Sequence, residues 1–253
     1  LEGNCSMAVN SVNTNVGALV ALQNLNTTNR ELGVTQSRIN TGMKVGSAKD
    51  NGAIWAIAQN QRAESTSLNS VQQSLQRGQS AAEVALSAGS AISDLLVQMK
   101  EKALAATEEG LTTASINALS EEYKALYAQI DTIAENATFD GVNLISGTDS
   151  KEIKALANAD ASATIDVAHE DLSTTGSAIG SIMADFTTAP VEADITDLSN
   201  AIESVSASLS RLGTGSKALD THLNFVSKLQ DTLDAGVGNL VDADLAKESA
   251  KLQ

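Results

Sequence analysis

Between Ile195 and Leu240 apolar residues recur in an unbroken 3-4 spacing: Ile195, Leu198, Ile202, Val205, Leu209, Leu212, Ser216, Leu219, Leu223, Val226, Gln230, Leu233, Val237 and Leu240. Twelve of these fourteen positions are apolar. Held over more than six heptads, that period predicts a long helix offering a seam to other helices. A second series has the same spacing: Leu68, Val71, Leu75, Gly78, Ala82, Ala85, Gly89, Ile92, Leu96, Met99, Ala103. Its small central residues let a partner helix approach closely, while Leu96 and Met99 fill a wider gap. A third, shorter seam runs Leu119, Tyr123, Leu126, Ile130, Ile133, Ala137, with Ser120 read as its N-cap and Glu121 and Glu122 behind it.

Residues 16–40 also carry a helical pattern, but Asn29 and Gln36 interrupt the seam of Ala18, Leu22, Leu25, Leu32 and Ile39. Such a helix draws its stability from a partner. Glycines with Ser47, Asp50 and Asn51 then break helicity over residues 42–52 and predict an ordered turn. Further on, Asp140-Gly141 between apolar flanks predicts a hairpin, and Thr164-Ile165-Asp166-Val167 alternates like a short strand. Aromatic residues make up only 2% of the chain and Pro190 is the single proline, so long helices run without breakers. The fold class these features predict is mainly α: an elongated antiparallel helical bundle or coiled coil with a short hairpin-containing insert. Its predicted core is Leu75, Ile92, Leu96, Met99, Leu126, Ile130, Ile202, Leu209, Leu219, Leu223 and Val226.

The net charge of -15, from 31 acidic and 16 basic residues, argues against nucleic acid and anionic membranes as partners. No segment reads as a membrane span or a cleavable secretory signal. Cys5 is the only cysteine, which excludes an internal disulfide. It lies in residues 1–6, which read as a vector-derived leader before Met7.

The two histidines, His169 and His222, are 53 residues apart, and His169-Glu170 lacks the second histidine of a zinc motif at Ser173. His169 reads as solvated loop and His222 as helix flank. Asp242, Asp244 and Glu248 lack the spacing of a calcium loop and read as acids at a helix start. Gly42 and Gly46 form no phosphate loop. No catalytic, cofactor or metal residue is assigned.

Several motifs in order carry a family resemblance. Asn13-Thr14-Asn15, Arg38-Ile39-Asn40-Thr41-Gly42 and Ser47-Ala48-Lys49-Asp50 are followed by Phe139-Asp140-Gly141-Val142, and Val241-Asp242-Ala243-Asp244-Leu245-Ala246-Lys247-Glu248 closes the series. Together with the heptads between them they resemble bacterial flagellins, most of all those of α-proteobacteria. The resemblance implies a non-enzymatic subunit of the extracellular flagellar filament, needed for motility and exported by the flagellar type III apparatus without a cleaved signal. It implies other flagellin subunits, an export chaperone and cap and junction proteins as partners.

The implied organisation is an N-terminal assembly helix and turn (residues 7–60), core helices and hairpin (61–147), an outward-pointing variable insert (148–193) and a core return helix (194–238). The start of a C-terminal assembly helix follows (239–253), truncated relative to the family. Gln98 and Lys102 stand where some flagellins carry an innate-immune-receptor patch, which implies weak or no recognition. The assembly interface is assigned to Asn13, Thr14, Asn15, Leu22, Leu25, Leu32, Ile39, Ile54, Trp55, Ile57, Leu240 and Leu245. Trp55 is expected to be buried between subunits, its loss leaving the bundle intact. The alternative reading is a surface adhesin on the same scaffold, binding through residues 148–193.

Overall fold

The computed structural model describes residues 15–148 and 151–252. Five helices are found among them: α1 (Val16–Thr41), α2 (Gly52–Ala106), α3 (Thr113–Asn136), α4 (Glu192–Val241) and α5 (Leu245–Leu252). Two small antiparallel hairpins lie between α3 and α4, pairing β1 (Thr138–Phe139) with β2 (Val142–Asn143) and β3 (Ile153–Leu156) with β4 (Thr164–Val167). The chain divides into two compact units, one of Leu1–Ala63 with Thr232–Gln253, the other of Glu64–Asp231.

In the second unit α2 and α4 are antiparallel, since Gly78 faces Leu219 and Gly89 faces Leu209. Every position of the α2 seam from Leu68 to Ala103 is buried. Its small residues admit the partner helix α4 as expected, and a second neighbour besides. A Cβ on Gly78 would lie 3.0 Å from Ile153 as well as 3.4 Å from Leu219, and one on Gly89 would meet Leu172 at 3.2 Å. The close approach therefore admits side chains of the 148–193 segment together with α4.

The α4 seam holds in part. Leu198, Val205, Leu212, Leu219 and Val226 are buried, but Ile202, Leu209 and Leu223 are only half-buried. Ala201 and Ser208, which the 3-4 seam leaves out, are buried beside Leu198, Val205 and Leu212. On α3, Ile130 is buried and Leu126 half-buried. That helix starts seven residues earlier than the expected cap at Ser120: the hydroxyl of Thr112 accepts from the Ser115 N–H at 3.2 Å. Ser120 is buried inside the helix, where its hydroxyl accepts from the Phe186 N–H at 3.1 Å.

Residues 148–193 are not a simple outward appendage. Ile153, Val167, Leu172, Ile179, Ile182 and Phe186 are all buried. Phe186 meets Tyr123 edge-on with centroids 5.3 Å apart, and the Tyr123 hydroxyl donates to the Met183 carbonyl at 3.0 Å. Asp131 on α3 accepts from both the N–H and the hydroxyl of Thr174, at 2.8 and 2.6 Å. His169 lies in a loop and His222 on the α4 flank as expected, but both are half-buried and tied by hydrogen bonds rather than solvated. His169 Nε2 bonds the Ser146 carbonyl at 2.8 Å, and His222 Nε2 bonds the Ala157 carbonyl at 2.7 Å.

The Asp140-Gly141 hairpin forms as expected, with positive φ at both residues (50° and 75°) as a two-residue primed turn requires. By length and composition, α2 contains a stretch apolar enough to cross a bilayer, contrary to expectation.

Candidate assembly surface

The first unit gathers the two ends of the chain. Asn15 caps α1 by accepting from the Ala18 N–H at 3.2 Å, and Gly42 ends the helix in the left-handed region (φ 71°), donating its N–H to Arg38 O at 2.8 Å. In the turn that follows, Asp50 Oδ2 accepts from the Gly46 N–H (3.1 Å), the Ser47 N–H (2.9 Å) and the Ser47 hydroxyl (3.1 Å). The Ser47 hydroxyl, then its backbone N–H, holds the Asp50 carboxyl below the usual carboxylate range. Asn51 then caps α2 through the Ile54 N–H at 3.1 Å.

Motifs far apart in sequence meet here. The Lys44 N–H donates to the Val241 carbonyl at 2.7 Å and the Ala243 N–H to the Gly42 carbonyl at 2.8 Å, on either side of a Met43–Asp242 bridge. Asp244 caps α5, its Oδ1 accepting from the N–H groups of Ala246 and Lys247 at 3.1 Å each. From α5 the buried Glu248 reaches Arg38 of α1 at 3.3 Å and Lys251 at 2.8 Å, both on the same carboxylate oxygen. Lys251, with a further contribution from Arg38, depresses the Glu248 pKa. Arg38 and Glu248 both stand in the quoted motifs, but only the fold reveals them as a pair, 210 residues apart.

The predicted assembly residues fall into distinct groups. Leu22, Leu25, Leu32, Ile57 and Leu245 are exposed large apolar side chains, joined by Val16, Leu19, Val20 and Val34, which sequence reading missed. Those four lie off the 3-4 seam, so only a reading of the whole helix surface finds them. Ile39 is half-buried, and Asn13 and Thr14 lie outside the described residues. Ile54, Trp55 and Leu240 pack instead against Val45, Ala58, Val237 and Val241 of their own chain. Part of the Trp55 ring thus belongs to an internal cluster that joins the turn to the start of α2 and the end of α4, and the rest of it stays uncovered. Among the described residues no group of His, Cys, Asp or Glu is arranged to hold a metal.

A chain whose two ends interlock while its first helix leaves a wide apolar face uncovered has the form of a subunit of a larger helical assembly. Residues 12–150 match the bacterial flagellin N-terminal helical region, and residues 195–253 match the bacterial flagellin C-terminal helical region. Flagellin FljM of Caulobacter vibrioides is 56% identical over 247 residues, 98% of this chain and 90% of that protein. A flagellin of Brucella melitensis is 34% identical, covering 96% and 89% of the two chains. The crystal structure of Bacillus cereus flagellin superposes with a TM-score of 0.53 at 26% identity, over 60% of this chain and 88% of that one. The chain belongs to the bacterial flagellin family.

Proposed function

We propose that this protein is a structural subunit that polymerises with copies of itself into the flagellar filament outside the cell, where it serves motility. The observation that carries the reading is α1. Its described residues include one buried side chain, Thr35, while seven large apolar residues from Val16 to Val34 stay exposed. Burying a Leu or Val contributes about 1.5–3 kcal/mol, and a polymer repeats that gain at every subunit. Export as an unfolded chain through the flagellar type III channel, with a chaperone and with cap and junction proteins, belongs to the same proposal.

The adhesin alternative needs convergent exposed aromatic or charged groups in residues 148–193. The largest apolar side chains there face the protein's own interior. Weak innate-receptor recognition is also proposed, because Gln98 replaces one patch residue and Lys102 is tied to Glu122 at 2.6 Å.

Seeded polymerisation of the full-length protein, imaged by electron microscopy, tests the reading. Leu25→Asp and Leu32→Asp are expected to abolish filament growth without shifting the melting temperature. Growth of normal filaments by both variants would overturn it.

A further inference from the structure

Asn51-Gly52 is the only step in the chain where glycine follows asparagine. An asparagine carboxamide can be attacked at Cγ by the main-chain nitrogen of the next residue. Glycine makes this easiest, because it has no Cβ to obstruct the approach and leaves the backbone free to bend into it. Both residues are exposed, so water reaches the step.

The fold holds this step away from the geometry of attack. Asn51 Oδ1 accepts from the Ile54 N–H at 3.1 Å, and the Asn51 main-chain carbonyl accepts from the Trp55 N–H at 2.9 Å. The first bond fixes the carboxamide over the opening turn of α2, and the second fixes the plane of the 51–52 peptide. Bringing Cγ onto the Gly52 nitrogen turns both the side chain and that plane, which breaks both bonds.

We propose that Asn51 is a site of spontaneous deamidation, open in the unfolded chain and closed by folding. The Gly52 nitrogen bonds to Asn51 Cγ and closes a five-membered succinimide. Its proton passes through solvent to the departing amide nitrogen, which leaves as ammonia. Water then opens the ring at one carbonyl or the other, giving aspartate or isoaspartate at residue 51. No further reactant is needed.

The two products differ in what they do to α2. Aspartate keeps the main chain and caps a helix as well as asparagine does, with a charge that suits the N-terminus. Isoaspartate routes the main chain through Cβ and Cγ, which adds a carbon and displaces both cap acceptors. The damage falls on the turn that carries Ile54 and Trp55 against Val45 and Val237. A chain that stays unfolded too long is thus marked at the residue that starts α2. The proposal is independent of the filament reading.

Peptide mass spectrometry tests it. Full-length protein is held at mildly alkaline pH, folded or in guanidinium chloride, and conversion is followed at each asparagine. In denaturant residue 51 should convert about tenfold faster than in the folded chain, and ahead of every other asparagine. Gly52→Ala should remove that lead. Nothing lies within 4 Å of the new methyl, so this variant should fold as wild type does. Chains carrying isoaspartate at residue 51 should refold with faster amide hydrogen exchange over residues 52–58, while Asn51→Asp should exchange as wild type. Equal conversion in folded and unfolded protein, or a Gly52→Ala chain that keeps the lead, would overturn the proposal. An isoaspartyl chain that exchanges like wild type would overturn it as well.

Discussion

Leu25 and Leu75 sit in the same kind of sequence position, each one member of a 3-4 apolar series on a helix. Leu25 is 59% exposed and Leu75 is fully buried. The difference lies in what surrounds each helix. Next to Leu75, at Gly78, α4 and β3 supply complementary faces, and the glycine lets them approach. Around Leu25 no described element does so. Apolar spacing thus identifies a face that needs cover, while the supply of partners within the chain decides whether folding or assembly provides it.

The sharpest way to break this comparison is to remove the cover from the middle unit. Deleting residues 159–188 takes away Val167, Leu172, Ile179, Ile182 and Phe186, all buried. Losing a buried Leu, Ile or Phe costs about 2–5 kcal/mol, so several together exceed the roughly 5–15 kcal/mol that holds a typical domain. The variant is expected to lose cooperative thermal melting by circular dichroism. A wild-type melt would restore the view of this segment as an outward-pointing insert.

A smaller effect is expected in the terminal unit. Trp55 packs against Val45, Ala58, Val237 and Val241 while remaining half-buried. Trp55→Ala should therefore cost about 2 kcal/mol, below the value for a fully buried ring. Faster amide hydrogen exchange over residues 52–63 and 232–241 is the expected signature. Unchanged exchange there would return Trp55 to the class of Leu25, a residue waiting for a neighbour.

Much of this architecture was legible in the sequence. The α2 seam, the primed hairpin and the β4 strand follow from period and turn chemistry that act locally. What was hidden depends on contacts between distant residues. Ile202, Leu209 and Leu223 looked like core because they are large and in register, yet they are half-buried while Ala201 and Ser208, outside the seam, are buried. β3 was missed because Ile153–Leu156 alternates only weakly, and its Ile153 and Ala155 are recognisable only against Gly78. At the assembly surface the apolar stripe of α1 was readable in part. The salt bridge from Arg38 to Glu248 was not, since no spacing rule joins residues 210 positions apart.

That salt bridge gives the terminal unit a pH dependence. The folded-state pKa of Glu248 is depressed, first by Lys251 and then by Arg38. Its contribution is therefore fully present above the ordinary glutamate pKa, near 4.3, and is lost as pH falls through the lower folded value. Carbon-13 NMR of the Glu248 carboxyl should show a midpoint below that of an unstructured glutamate, with α5 helicity falling over the same interval. Glu248→Gln should remove the acid-dependent step. A normal midpoint would mean that α1 and α5 are held by apolar contact alone.

The smallest expected effect is also the most exacting, because it turns on sign. Gly89 and Gly213 lie inside long helices, where replacing glycine by alanine ordinarily gains about 1 kcal/mol. At Gly213 nothing lies within 4 Å of the new methyl, so Gly213→Ala should stabilise by roughly that amount. At Gly89 the methyl would lie 2.5 Å from Leu209 Cδ2 and 3.2 Å from Leu172 Cδ1. Leu209 is half-buried and can yield, but Leu172 is fully buried and cannot move without disturbing its neighbours. Overpacking of this kind costs about 1–3 kcal/mol, which outweighs the propensity gain and leaves Gly89→Ala destabilising by about 1 kcal/mol. At this size the two variants should differ in melting temperature by several degrees, on opposite sides of wild type. If Gly89→Ala stabilises as much as Gly213→Ala, the seam between α2, α4 and Leu172 is looser than its geometry implies, and the contrast between a closed middle unit and an open first helix weakens with it.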